Sequence, residues 1–441
     1  MDKAIVAGEN DGEPLFPDGT GIVNNVSMNK VRMAVIGAGP AGLASAISAA
    51  RHGAEVVVFE QLPEAGRRLL ATGGGHCNFT NILRPDELAR RFGSCERFVS
   101  PSFKSADSDK LREFFTDLGV PSHSPDGFHV FPVSNSAIRV RDALVAACAR
   151  HGVQFRFTAR GTELGVTDGR IAWIEVHGLK EQMSAVILAA GGASRSELGG
   201  GKGGFELAAT AGHTIVESSP ALVPLVTHEP WPGTLAGVTI PQAVVRCDVA
   251  GFQSEGKGAL LFTHRGISGP AVLDASGAVA SALRSFQMVP ILVDLAPHMT
   301  AEQWRLDLDG HKRDHGTRVI LSVLRLYLPA SLAKAVLDVA GVSADTTMSR
   351  MSADQRSQLI RCMRSLPLTV VSTDGMRAAM VCRGGVDVKE IDRKTLESKL
   401  VGGLFFAGEV MNVDGPCGGF NLHWAFASGL LAGACAVQKN R

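Results

Sequence analysis

Several features are missing from this 441-residue chain, and each absence excludes something. None of its eight cysteines forms a C-x-x-C pair. Scattered cysteines in a chain this long read as reduced thiols of a cytoplasmic protein, not as a disulfide framework. No cluster of Cys, His, Asp and Glu has metal-ligand spacing, so no metal is expected. No apolar run reaches the roughly 18 residues of a membrane span, so no membrane partner is expected. Residues 1–30 are polar and glycine-rich and lack the apolar core of a signal peptide. They read as a loose tail, with Met28 as an alternative start. Net charge is only +1, which gives no general pull toward nucleic acid. Tyrosine occurs once, at Tyr327, too little for an aromatic cage.

What is present describes a folded protein. Hydrophobic residues make up 45% and charged residues 20%, ordinary globular values. The length exceeds one compact core, so two or three domains are expected. The 50 glycines fall largely in short clusters, suited to loops where backbone approaches a ligand. Residues 31–36 form a short apolar run typical of a buried parallel strand. Gly37-Ala38-Gly39-Pro40-Ala41-Gly42 follows, matching G-x-G-x-x-G, then a helical pattern to Ala50. A second strand over 55–59 ends at Glu60, with Gln61 beside it. Gly37 permits the tight turn, Gly39 admits a pyrophosphate to the backbone, and Gly42 lets helix and strand pack closely. The helix N-terminus offers free N–H groups to phosphate. An acid at Glu60 suits ribose hydroxyls and disfavours a 2′-phosphate.

Two further segments point to FAD over NAD. Residues 185–192 read as a strand ending in Ala190-Gly191-Gly192, and residues 404–409 as a strand ending in Gly408-Glu409. Glutathione-reductase-like FAD domains have such a mid-chain returning strand and a late strand whose Gly-acid end meets the ribityl chain. The following helix directs its N-terminus at the flavin. The expected fold is therefore α/β, a discontinuous Rossmann-type FAD domain over 31–202 and 366–441. Inserted in it are a β-rich, barrel-like domain over 203–299 and a small helical domain over 300–365. Strand patterns at 242–249, 259–263 and 289–295 and helix patterns at 318–328 and 353–366 support that division. No second G-x-G-x-x-G follows a strand, and the glycine-rich 199–204 lacks one, so a nicotinamide donor would dock without its own Rossmann domain.

Four long motifs together resemble the BaiN/RdsA-type family of NAD(P)/FAD-dependent oxidoreductases, also called YhiN-like flavoproteins. They are GRRLLATGGGHCNFTN over 66–81, PALVPL over 220–225, LFTHRGISGP over 261–270 and GEVMNVDGPCGGFNL over 408–422. The resemblance implies a Rossmann FAD domain with barrel-like and helical domains. It implies two substrates: steroid-like bile acid intermediates, or a uridine in large-subunit ribosomal RNA that becomes dihydrouridine. Two positions depart from it. His76 stands where many relatives have Arg, and Asn412 where Asp is common.

Candidate site residues follow. Arg67 and Arg68 can pair with the FAD pyrophosphate or ring carbonyls; the alternative is surface charge. Gly73, Gly74, Gly75 and Asn78 form a loop suited to lining the isoalloxazine. His76 is a candidate general acid or substrate contact, or a plain hydrogen-bonding loop residue. Cys77 and Cys417 are either a redox pair or small buried residues. His264, Arg265 and Ser268 lie in a loop that either binds substrate or joins elements of the insertion. Asp414 is placed to bind ribityl hydroxyls. Gly418, Gly419 and Phe420 open the last helix, Asn421 is placed to donate to the flavin pyrimidine edge, and His423 reads as a first-turn helix residue. The expected reaction is NADH- or NADPH-dependent reduction of an activated C=C bond in a small molecule or RNA. Arg84, Arg90, Arg91 and Arg97, and Arg139, Arg141 and Arg150, are either phosphate contacts or ordinary surface. An FAD oxidase of small amines and a non-enzymatic electron-transfer partner are the competing functions.

Overall fold

Short apolar runs without polar alternation must be buried on both faces, and here they form the centre of a parallel sheet. The computed structural model describes residues 31–440; the expected tail over 1–30, with Met28, lies outside them. Five strands order as Leu404–Phe406, Ala185–Leu188, Arg32–Ile36, Glu55–Phe59 and Gln154–Arg156. Every neighbouring pair is parallel, with Met33 opposite both Ala185 and Val56. Ala34, Val35, Val57 and Ile187 are fully buried.

The first helix, Pro40–Arg51, and the last, Phe420–Lys439, pack against each other through small residues. A Cβ on Gly429 would lie 2.4 Å from the Ala41 carbonyl oxygen, and one on Gly433 2.4 Å from that of Ser45. By length and composition the last helix is apolar enough to cross a membrane, with mean hydropathy 1.3, so the chain does hold a span-length apolar run. It is mostly buried against the first helix and the sheet, as a core helix is. A three-stranded meander, Gly161–Thr167, Arg170–Val176 and Leu179–Gln182, falls between two sheet strands where no strand pattern was expected.

The insertion contains a closed six-stranded barrel: Leu225–Thr227, Gly266–Ser268, Phe252–Thr263, Thr239–Val249, Val289–Asp294 and Leu366–Thr373. The sequence boundary at 365/366 is therefore corrected. Helix Ala353–Arg364 stops one residue short of the strand Leu366–Thr373 that closes the barrel. The boundary at 203 also moves. Helix Gly203–Thr210 buries Phe205, Leu207 and Ala208 in the Rossmann core, and Ile215–Ala221 pairs with Val381–Val386. Trp304, Leu332 and Leu359 of the helical part share one core with barrel residues such as Val245 and Ile291, so barrel and helices form one unit.

Candidate active site

Where the carboxyl ends of the parallel strands face the barrel, a cavity of about 1570 Å³ opens. Ligands of open α/β sheets bind at such strand ends. The volume exceeds the roughly 300–1,000 Å³ of a pocket for one drug-sized molecule. It has room for an extended dinucleotide and a second ligand.

The fingerprint glycines divide into two kinds. Gly37 has φ 103°, and a Cβ there would lie 2.6 Å from the Ala189 carbonyl oxygen. A Cβ on Gly42 would lie 1.9 Å from the Gly37 oxygen. These two are demanded by the protein's own packing. Gly39 is different: a Cβ there would meet no protein atom within 4 Å, and the residue lines the cavity. Gly39 caps a helix whose first turn carries no acid and no side-chain cap, leaving its N–H groups for an anion. These features fit the pyrophosphate of FAD.

Pro40 and Ala41 also line the cavity; Ala38 and Gly42 do not. The Ala38 N–H donates to Glu60 Oε2 at 2.7 Å and the Leu62 N–H to Oε1 at 2.8 Å. Glu60 is thereby fixed at the cavity wall, each oxygen keeping further acceptor capacity for a ribose hydroxyl. Gln61, also lining, donates to the Gly199 carbonyl at 2.8 Å.

Arg67 and Arg68 line the cavity already paired with carboxylates. Arg67 meets Glu64 at 2.9 Å, while Arg68 bonds Glu409 and, at 3.1 Å, Ser194. Glu409 also accepts from the Cys382 N–H at 2.7 Å and the Gly192 N–H at 3.3 Å. One carboxylate thus joins three chain segments at the cavity wall. Ala190 and Gly191 line the cavity. Gly192 and Gly408 lie behind it; a Cβ on Gly408 would lie 2.7 Å from that of Ala41. Gly73 and Gly74, at φ 55° and 66°, line the cavity, whereas Gly75 does not. The Asn78 amide donates to the Thr80 and Val130 carbonyls and accepts from the Gly419 N–H, tying the glycine loop to the last helix. Gly418, Gly419 and Phe420 line the cavity at that helix start.

The proposed chemical residues scatter. His76 is an exposed lining residue with Nδ1 3.1 Å from the Asn135 carbonyl oxygen. His264 is exposed on a barrel turn outside the lining, and Arg265 is bound to Asp374 at 2.8 Å. Of that loop's three candidates only Ser268 reaches the cavity. Asn421 donates to the Gly415 and Pro416 carbonyls at 2.8 and 3.2 Å and accepts from the Gly415 N–H at 2.8 Å. Both amide hydrogens are engaged, so Asn421 holds the loop and has none free for a flavin edge. Asp414 is corrected too: it lies outside the lining and binds Arg383 at 2.8–3.2 Å through both oxygens. His423 is fully buried between Thr80 Oγ1 at 2.6 Å and the Ala106 carbonyl at 2.8 Å, and burial pushes its pKa down to about 4. Cys77 is buried outside the lining with its pKa pushed up to about 12 by burial; burial likewise raises Cys417, so neither thiol is a ready thiolate.

The structure adds residues that sequence reasoning passed over. Arg160, Arg195 and Lys202 surround the Gly199–Gly204 end of the cavity. The glycine cluster signalled that end; the arginines carried no local pattern. At the other end His129 binds Asp126 at 2.5 Å, which holds the Asp126 carboxyl down at about 2. Asp274, from helix Pro270–Ala282, enters from the barrel wall and accepts the Cys417 N–H at 2.7 Å.

Comparison with known proteins agrees with this architecture. The family model described as HI0933-like protein Rossmann domain matches residues 31–435. A 3-dehydro-bile acid delta(4,6)-reductase from Clostridium scindens is 32% identical over 92% of this chain and 99% of its own. A ribosomal RNA dihydrouridine synthase from Escherichia coli is 30% identical over 93% of this chain and 98% of its own. Among solved structures, 3-ketosteroid delta1-dehydrogenase from Sterolibacterium denitrificans superposes with TM-score 0.52 at 12% identity, covering 92% of this chain and 99% of that one, a likeness of fold. The chain belongs to the HI0933-like family and is an oxidoreductase of the FAD-dependent Rossmann type.

Proposed function

We propose that this protein reduces a C=C bond conjugated to a carbonyl, using electrons from NADH or NADPH. The observation that carries the reading is the two-sided cavity. One wall is the open Gly39 cradle; another is apolar, made by Leu222, Leu261, Leu273, Met380 and Val381. Bound FAD would supply two-electron chemistry, linking oxidation of a nicotinamide to hydride delivery. The chain's own residues bind the pyrophosphate at Gly39, exclude water with the apolar wall, and hold a flat unsaturated ring against it. Both named relatives carry out reductions, and we assign this chain the ring of uridine in ribosomal RNA. Arg91 lines the cavity and Arg90 and Arg97 are exposed, so arginines near the site are available to phosphate. Eight free cysteines support a cytoplasmic location. The amine-oxidase alternative gains nothing, because Tyr327 lies in the helical part bound to Asp307 at 2.8 Å.

The test is anaerobic addition of NADH or NADPH to the FAD-loaded protein. The flavin band should bleach, and colour should return on adding unmodified ribosomal RNA, with dihydrouridine formed. Return of colour with a 3-oxo-4-ene steroid and not with RNA would reassign the substrate. No bleaching with either nicotinamide would refute the proposal.

A further inference from the structure

Reduction of a conjugated alkene needs a proton as well as a hydride, and the cavity wall supplies few groups able to give one. Six carboxylates line it. Glu60 is held by two backbone N–H groups. Glu64 is paired with Arg67 and Arg141, Glu206 with Arg160, Glu255 with Arg246 and Lys257, and Glu409 with Arg68. Each of these five is tied to a cation or to two backbone donors. Among the described residues only Glu60 and Asp274 of the six have no ion pair within 4 Å; Glu60 accepts from two backbone N–H groups, Asp274 from one, that of Cys417 at 2.7 Å. It emerges beside an apolar cluster of Ala221, Leu222, Leu273 and Val381, against which Cys417 packs.

We propose that Asp274 is the proton donor of the reaction, giving its carboxyl proton to the alkene carbon next to the one that receives hydride. The inference rests on the alkene-reductase function proposed above. The π bond breaks and two C–H bonds form, one from the hydride and one in which the released electron pair takes the Asp274 proton. The nicotinamide is oxidised, the alkene is reduced, and the Asp274 carboxylate recovers a proton from water. Burial raises the Asp274 pKa, favouring the acid form, against the opposing pull of the Cys417 N–H, the Cys417 thiol and Arg91. The other charged groups around its helix are internally neutralised. Glu255 and Lys257 pair at 2.8 Å on the strand packed beneath it, and Arg383, lying over Gly277, pairs with Asp414 at 2.8 Å. Asp274 thus lacks the close cation that would hold it ionised.

The test separates the two half-reactions of the FAD-loaded enzyme. In Asp274→Asn, bleaching by the nicotinamide should stay within about twofold of wild type. Reoxidation by the alkene should slow by ~10²–10⁴-fold, the usual contribution of a positioned acid. Wild-type reoxidation should fall as pH rises through the Asp274 pKa; Asn should abolish that limb and Asp274→Glu should restore part of it. Equal reoxidation rates in wild type and Asn, with wild type active, would overturn the proton-donor role alone. A wild type that reduces no alkene would overturn the parent function and this role with it. A second readout needs no turnover: in protein carrying ¹³C-labelled aspartate, the Asp274 carboxyl should titrate above the ordinary 3.8. A midpoint at or below that value would also overturn the proposal.

Discussion

Two glycines of one motif should fail in opposite ways. Gly39 has φ −77° and ψ −176°, open to any residue, and a Cβ there touches no protein atom within 4 Å. Gly39→Ala should therefore leave the apoprotein's stability within about 0.5 kcal/mol of wild type, or raise it slightly by restricting the unfolded chain. The added methyl enters the space assigned to the pyrophosphate. Losing one charge-assisted backbone contact costs about 1.5–3 kcal/mol, a roughly 10- to 150-fold weaker FAD affinity. Gly42→Ala places its methyl 1.9 Å from the Gly37 oxygen, a backbone atom that cannot swing aside. It should cost the apoprotein ~1–3 kcal/mol or more. Thermal unfolding without FAD, and titration of each apoprotein with FAD followed by flavin fluorescence, measure the two effects separately. If Gly39→Ala binds FAD as tightly as wild type, the cradle is misassigned. If it melts as low as Gly42→Ala, the packing distinction between them is wrong.

Arg68→Met should destabilise the fold by about 2 kcal/mol, because it strips the one cation that pairs with Glu409 among the described residues. The side chains are 22% and 20% exposed, so the loss should fall short of the ~3–5 kcal/mol of a fully buried pair. The urea midpoint measures this, and a shift equivalent to less than about 0.5 kcal/mol would refute the stapling role. His423 should make stability pH-dependent. Its native pKa of about 4 lies below the ordinary 6.5, so below pH 6.5 the unfolded chain binds the extra proton. Stability should fall by about 3 kcal/mol as pH drops from 6.5 to 4. Burial lowers His213 in the same sense. Urea titrations of wild type and His423→Gln across that range should differ in slope; equal slopes would refute the assignment.

The fold was legible where structure is local. A buried strand, a glycine turn and a helix follow one another within residues 31–51, and strand and helix periodicities differ enough to be read. The barrel's closing strand was not legible, because only Ser365 separates helix Ala353–Arg364 from strand Leu366–Thr373 and an apolar run at such a junction suits either. Asn421 and Asp414 were read as ligand contacts from their place in a motif. Short polar side chains readily find nearer partners, and these found the Gly415–Pro416 loop and Arg383.

The chemistry of the site belongs to a third category. Asp274 meets Cys417 across 143 residues of chain, and Arg68 meets Glu409 across 341. Both contacts exist because the chain leaves the Rossmann domain, builds the barrel and returns. In such an arrangement the nucleotide cradle is made by one contiguous segment, so its spacing is a signal. The substrate wall is made where separate segments close on each other, and no spacing in the sequence records which acid that closure leaves without a cation. Asp274 has nothing distinctive around it in sequence. Its character comes from four neighbouring carboxylates being paired with cations and Glu60 with two backbone N–H groups, while Asp274 has the single backbone N–H of Cys417, a property of the assembled wall.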